Sequence, residues 1–184
     1  MKDKPFGVFE PTGRRHRKTL FALFGVPVSY TRFSALAPPL MALAALPYAF
    51  FRDRQTAPRP LSLGALKYAL LMTATNYLHS IGHILGGRAV SAPMDELIVT
   101  STRQVNRYEG PQEHHPKGTH ITRAMGGPLL NLLAALLAYL LFRKLDGRPR
   151  WLTDFVFFNA AWGLGSFTPV ESLDGGSILK QLRQ

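Results

Sequence analysis

From residue 33 to residue 51 the chain carries no charged side chain, and Arg52, Arg54 and Arg59 close the stretch. About 20 apolar residues are what an α-helix needs to cross the hydrocarbon core of a bilayer. Three more apolar blocks follow, at 61–87, 124–142 and 151–170, divided by polar or basic segments. In lipid every backbone polar group must find its partner inside the protein, which restricts such blocks to helices. The pattern predicts an all-α multi-pass membrane protein with about four transmembrane helices. Pro38, Pro39 and Pro47 predict kinks in the first.

Charge supports this division. The chain is 46% hydrophobic yet has a formal net charge of +11. A balance this basic is usual for nucleic-acid binders. Here, however, the basic residues flank the apolar blocks, which points to the anionic headgroups of a bilayer and excludes nucleic acid as the expected partner. Residues 1–32 read as a basic N-terminal tail with a short strand over 24–30, and residues 33–184 as the membrane core. The polar, basic start does not read as a cleavable signal peptide. Between the second and third blocks, 96–108 carries β-branched residues in partial alternation (Ile98, Val99, Thr100, Thr102, Val105), so a short hairpin near the membrane face is expected. With four spans, both termini and the 88–123 loop share a side and hold most of the Lys and Arg. The positive-inside rule then predicts an integral protein of the cytoplasmic membrane with cytoplasmic termini. Lys67 is expected to snorkel to the opposite interface. Trp151 and Trp162 read as interface anchors.

Chemistry concentrates at the end of the second block. His79 and His83 are four residues apart, which on a helix puts both imidazoles on one face. This is the ligand spacing of a zinc helix, and ionisable residues inside a membrane segment usually mark a site. Asp174, just past the fourth block, supplies a third donor. Two histidines and one carboxylate with one position open make a catalytic zinc set. At about 1.5 Å per residue, His83 and His79 lie roughly 7 and 13 Å inside the second block. Both that block and the fourth end on the same membrane face, where Asp174 also lies. With no cysteine in the chain, disulfides and thiolate ligands are excluded. A metal-free reading also fits these residues: a small transport or scaffold subunit in which His79, His83 and Asp174 line a proton path. A second metal site at His114, His115 and His120 with Glu113 is a weaker alternative.

The segment His79-Ser80-Ile81-Gly82-His83 resembles the zinc motif of the site-2 proteases, a family of intramembrane zinc metalloproteases. Gly127-Pro128-Leu129-Leu130-Asn131 is similar to that family's Gly-Pro-x-x-Asn. Leu173-Asp174-Gly175 is similar to its Leu-Asp-Gly. Phe24-Gly25-Val26-Pro27-Val28 resembles the strand before its first helix. The likeness covers 24–179. It implies a helical core that holds zinc through His79, His83 and Asp174, takes transmembrane segments of other proteins as substrates, and uses Asn131 to support a ligand or position substrate. Two departures accompany it. Ser80 stands where the family has its general-base glutamate, which implies retained zinc and impaired peptide hydrolysis, the behaviour of a pseudoprotease that holds transmembrane segments. The approach to Asp174 keeps one proline, Pro169, and introduces Glu171, an alternative base for an enzyme that is still active.

Overall fold

The computed structural model describes residues 10–53 and 61–183. In chain order the elements are β1 (Arg17–Leu23), β2 (Val26–Thr31), α1 (Ala37–Asp53), α2 (Leu61–Ala89), β3 (Glu96–Val99), β4 (Gln104–Arg107), α3 (Lys117–Lys144), α4 (Arg150–Ser166) and α5 (Asp174–Arg183).

The expectation of an all-α protein is corrected: the helices carry a four-stranded sheet in the order β1-β2-β3-β4. The pairs β1–β2 and β3–β4 are antiparallel, while β2 and β3 run parallel, with Val28 opposite Leu97. The expected hairpin over 96–108 is present as β3 and β4. The basic stretch read as a tail contains a second hairpin, and its first nine residues lie outside the described ones. Gly25, read as part of the short strand, is instead in the turn. Phe24 and Gly25 take φ of 49° and 72°, and consecutive positive values give the turn twist that joins antiparallel strands. The Arg88 guanidinium donates to the Phe24 carbonyl and ties this turn to the end of α2. Most of β1 is exposed because it is an edge strand, and its two cations, the paired Arg17 and the exposed Lys18, mimic a tail in composition. Its pairing with β2 is irregular between Thr19 and Phe21, and such a bulge blunts an exposed edge.

One face of the sheet packs on α2. Val26, Val28, Leu97 and Val99 enclose Ile84 and Met94 in a buried cluster, and the Tyr30 and Tyr77 hydroxyls meet at 2.6 Å. The sheet thereby lies alongside the segment of α2 that carries both histidines.

Helices α2 and α3 approach at contact distance because glycines face each other. A Cβ built on Gly82 would stand 2.2 Å from the Gly126 carbonyl oxygen, and one on Gly86 would stand 2.8 Å from that of Thr122. Small residues at such crossings let backbones touch, the usual means of tight packing where lipid removes the hydrophobic drive. α1 joins α2 and α4 through Ala45, Ala49, Ala65, Tyr68 and Phe158.

The far end of this bundle holds an ion cluster. Asp154 on α4 is 1% exposed and accepts from Tyr48 at 3.1 Å, Arg52 at 2.8 Å and Lys67 at 3.1 Å. Lys67 pairs with Asp154 while its own side chain stays 40% exposed at this end of the bundle. Removing the carboxylate leaves two cations facing each other in a partly desolvated site, and breaking a buried ion pair from one side costs about 3–5 kcal/mol. Asp154→Ala is expected to lower the thermal midpoint in detergent, and adding Lys67→Met should restore part of it. An unchanged midpoint in the single variant would remove this cluster from the account of stability.

Among the described residues, two helical stretches are long and apolar enough to cross a membrane, Ser34–Asp53 and Lys117–Lys144. The third predicted block thus begins earlier than expected, at Lys117, because Thr119, His120 and Arg123 lie on the helix and not in the loop. The fourth ends at Ser166, before the turn that leads to Asp174.

Candidate metal centre

His79 and His83 occupy successive turns of α2, and α3 passes directly over them at Gly126 and Gly127. Asp174 arrives from α5. Its approach depends on Gly175 and Gly176: a Cβ on either would stand 2.1 Å from a carbonyl oxygen, of Phe167 or Val170 respectively. The chain can fold back onto the 167–171 turn only with glycine at both positions. Asp174 then sits in the first turn of α5, where the helix dipole favours a carboxylate.

The three side chains converge. His79 Nε2 is 3.0 Å from Asp174 Oδ2, His83 Nε2 is 3.4 Å from Asp174 Oδ1, and the two Nε2 atoms are 3.0 Å apart. All three donor atoms lie within 4.8 Å of one another, and this is the one such group of His, Cys, Asp or Glu among the described residues. His114, His115 and His120 form no equivalent cluster. The rings of His115 and His120 are 6.2 Å apart, and His120 Nε2 donates to the Gln112 carbonyl at 3.0 Å.

The donor set fits a metal ion on electronic grounds. His83 Nδ1 is 2.7 Å from the Arg123 carbonyl oxygen, which can only accept, so Nδ1 carries the hydrogen and Nε2 presents a lone pair. His79 Nδ1 is 2.8 Å from Asn131 Oδ1. Two bare ring nitrogens and a carboxylate thus crowd one point, a repulsive arrangement that a cation relieves. Space is provided as well. A methyl group at Gly127 would stand 2.5 Å from His83 Nε2 and 2.7 Å from His79 Nε2, so the absent side chain leaves an opening beside both nitrogens.

Ser80 lies between the ligands in sequence and is 2% exposed. Its hydroxyl donates to Gln104 Oε1 on β4. Asn131 is fully buried behind His79 and reaches the His79–His83–Asp174 group through that imidazole. Glu171 is exposed on the turn before α5. It lines a cavity of about 1010 Å³ together with His83, Asp174, Arg103, Gln104 and Asn106. Burial pulls the Arg103 guanidinium below its ordinary value, opposed by the negative charge of Asp174. Burial also raises the nearby Tyr108 phenol to about 12. An arginine keeps its charge in proteins, so Arg103 gives this cavity a cation that interacts with the Asp174 carboxylate.

Sequence reasoning passed over four residues that shape this centre. Gln104 holds Ser80. Arg123 stacks on Tyr108 at 4.2 Å and donates to the Ala92 carbonyl and to Gln112, tying the 89–116 connection to α3. Asn159 and Thr75, both 0% exposed, bond to Asn131. The signal for Asn159 was available: a lone amide in an apolar block needs a partner in the same layer.

No family model and no curated protein matches the chain. A solved structure does: a site-2 protease from Methanocaldococcus jannaschii, at 16% identity and a TM-score of 0.62, over 91% of this chain and 71% of that one. The fold is that of a site-2 protease. This places the converging His79, His83 and Asp174 within a membrane-associated helical fold with a small sheet, the frame that the sequence motifs suggested.

Proposed function

We propose that this chain is an integral membrane protein that binds zinc through His79, His83 and Asp174 on a site-2-protease frame, with peptide hydrolysis disabled at Ser80, and that it holds transmembrane segments of other proteins. The observation that carries this reading is the set of three Lewis bases on one point beside a serine whose hydroxyl is turned to Gln104. A zinc ion there would supply Lewis acidity towards a peptide carbonyl and a water molecule. The rest falls to the chain. Deprotonating the water and protonating the leaving amine requires a base near the metal, and a positioned one contributes about 10²–10⁴-fold. A serine hydroxyl cannot take a proton at neutral pH, and the bond from Ser80 to Gln104 commits its hydrogen elsewhere. Asn131 supports His79, and the cavity between β4 and α5 admits an unwound segment. In this reading α2 and α4 also cross the bilayer, giving four spans with cytoplasmic termini, and the basic loops meet anionic headgroups.

A second reading rests on Glu171. It shares the cavity with Asp174, so an active protease with its base relocated to that turn would use the same ligands and differ only in activity.

Zinc content of the detergent-purified chain, by elemental analysis, tests the site. About one zinc per chain is expected in the parent and in Ser80→Ala, and near none in His79→Ala or Asp174→Ala. Equal retention in all four would sink the ligand assignment. Cleavage of a transmembrane substrate by the parent that disappears in Glu171→Gln would favour the second reading.

A further inference from the structure

We propose that Asn159 is a positioning residue for the metal centre, setting the tautomer of His79 through the side chain of Asn131. The inference rests on the metal reading above and concerns how the first ligand is prepared.

The chain of hydrogen bonds has only one consistent direction. Asn159 Nδ2 lies 3.0 Å from the Phe155 carbonyl oxygen and 3.2 Å from Thr75 Oγ1. A carbonyl only accepts, so the amino group of Asn159 must face it, and Asn159 Oδ1 must face the other way. There it meets Asn131 Nδ2 at 2.7 Å. The same Nδ2 is 3.1 Å from the Thr75 carbonyl oxygen. Rotating either amide would set an oxygen against a carbonyl oxygen. Asn131 therefore has both of its donor hydrogens spoken for and turns Oδ1 to His79 Nδ1, at 2.8 Å. His79 must answer with a hydrogen on Nδ1, which leaves the Nε2 lone pair directed at His83 Nε2 and Asp174.

Burial makes the direction binding. Thr75, Asn131 and Asn159 are each 0% exposed, so water cannot take the place of a lost partner. Asn131 alone would not suffice. Without Asn159 one of its two amide hydrogens faces no acceptor, and the Thr75 carbonyl alone holds the amide against turning. His79 could then hold its hydrogen on Nε2 towards Asp174, which removes a metal donor. The ligand from α2 is thus set by residues of α3 and α4, and metal affinity depends on how those three helices pack.

The test uses the full chain in detergent with two variants, Asn159→Leu, which keeps the volume and removes the hydrogen bonds, and the milder Thr75→Val. Cobalt(II) is the metal probe, read by its visible bands, and the tautomer of His79 in metal-free protein is read by ¹⁵N NMR, assigned with His79→Gln. Partners of ligating histidines typically change metal affinity about 10–100-fold when removed. That loss is expected for Asn159→Leu, with altered cobalt bands and hydrogen appearing on His79 Nε2, and a smaller change of the same kind for Thr75→Val. A folded Asn159→Leu that binds cobalt within about twofold of the parent, with His79 still protonated at Nδ1, would overturn the proposal. If Asn159→Leu does not fold, Thr75→Val decides it by the same criteria. If the parent itself binds no cobalt, the metal reading fails on its own and the tautomer measurement decides: Nδ1–H in the parent and its loss in the variant support the role, and an unchanged tautomer removes it.

Discussion

Under the proposed function, Ser80→Glu is expected to raise the cleavage rate on a model transmembrane substrate by about 10²–10⁴-fold over the parent. Ser80 sits one residue after a candidate ligand on a helix whose histidines already face Asp174, so a longer acidic side chain starts from the backbone position a general base needs. Gln104 sets the magnitude. Its side chain now accepts from the serine hydroxyl, and with a carboxylate at position 80 it would rotate to donate. That hydrogen bond stabilises the charged form of the glutamate and weakens it as a base. Ser80→Glu with Gln104→Ala should therefore exceed the single variant, while Ser80→Asp, one methylene shorter, should gain little. The quantity to follow is the single-turnover rate at equal zinc occupancy. A parent that cleaves as fast as Ser80→Glu would remove position 80 from the explanation and return attention to Glu171.

The second large effect is expected from one methyl group. Gly127→Ala should reduce zinc from about one per chain to near none. The added carbon would lie 2.5 Å from His83 Nε2 and 2.7 Å from both Cε1 and Nε2 of His79, well inside contact distance. His83 is pinned by the Arg123 carbonyl and His79 by Asn131, so neither ring can retreat without breaking its own hydrogen bond. The loss should exceed that of any partner variant, because the change removes the room for the ion together with the aim of two ligands. Circular dichroism separates loss of metal from loss of fold. A folded Gly127→Ala that still holds one zinc would place the ion elsewhere.

The candidate site was more legible in the sequence than the fold that presents it. His79, His83 and Asp174 could be read together because helical spacing puts the first two on one face and topology brings the third to the same end. A rare residue type in an apolar block draws attention wherever it sits. The N-terminal hairpin was hidden for the opposite reason. Edge strand β1 faces solvent on most of its length, so Arg17 and Lys18 look like parts of a tail, and the Arg17–Glu96 pair that anchors it joins residues far apart in the chain. The partner of Lys67 was hidden on the same ground, since Asp154 is on another helix. Gly127 was legible only as half of a motif. Its role, to leave space beside two imidazoles, follows from the α2–α3 crossing, which no local pattern states.

The parallel pairing of β2 with β3 also bears on the order of assembly during synthesis. Val28 finds its partner at Leu97, and between the two lie the whole of α1 and α2. Chains emerge N-terminus first, so the β1–β2 segment is made before its neighbour has been translated, and a hairpin formed then would have one edge open and its apolar face uncovered, a marginal structure by itself. Contacts of such long separation close slowly, and unpaired strand edges are the part of a folding intermediate most prone to wrong association. α2 is complete before β3 appears and already offers Ile84 and Tyr77 as a surface on which the hairpin can settle. The ligand helix would then act first as a template for the sheet, and metal binding would come last, once α5 has brought Asp174 across.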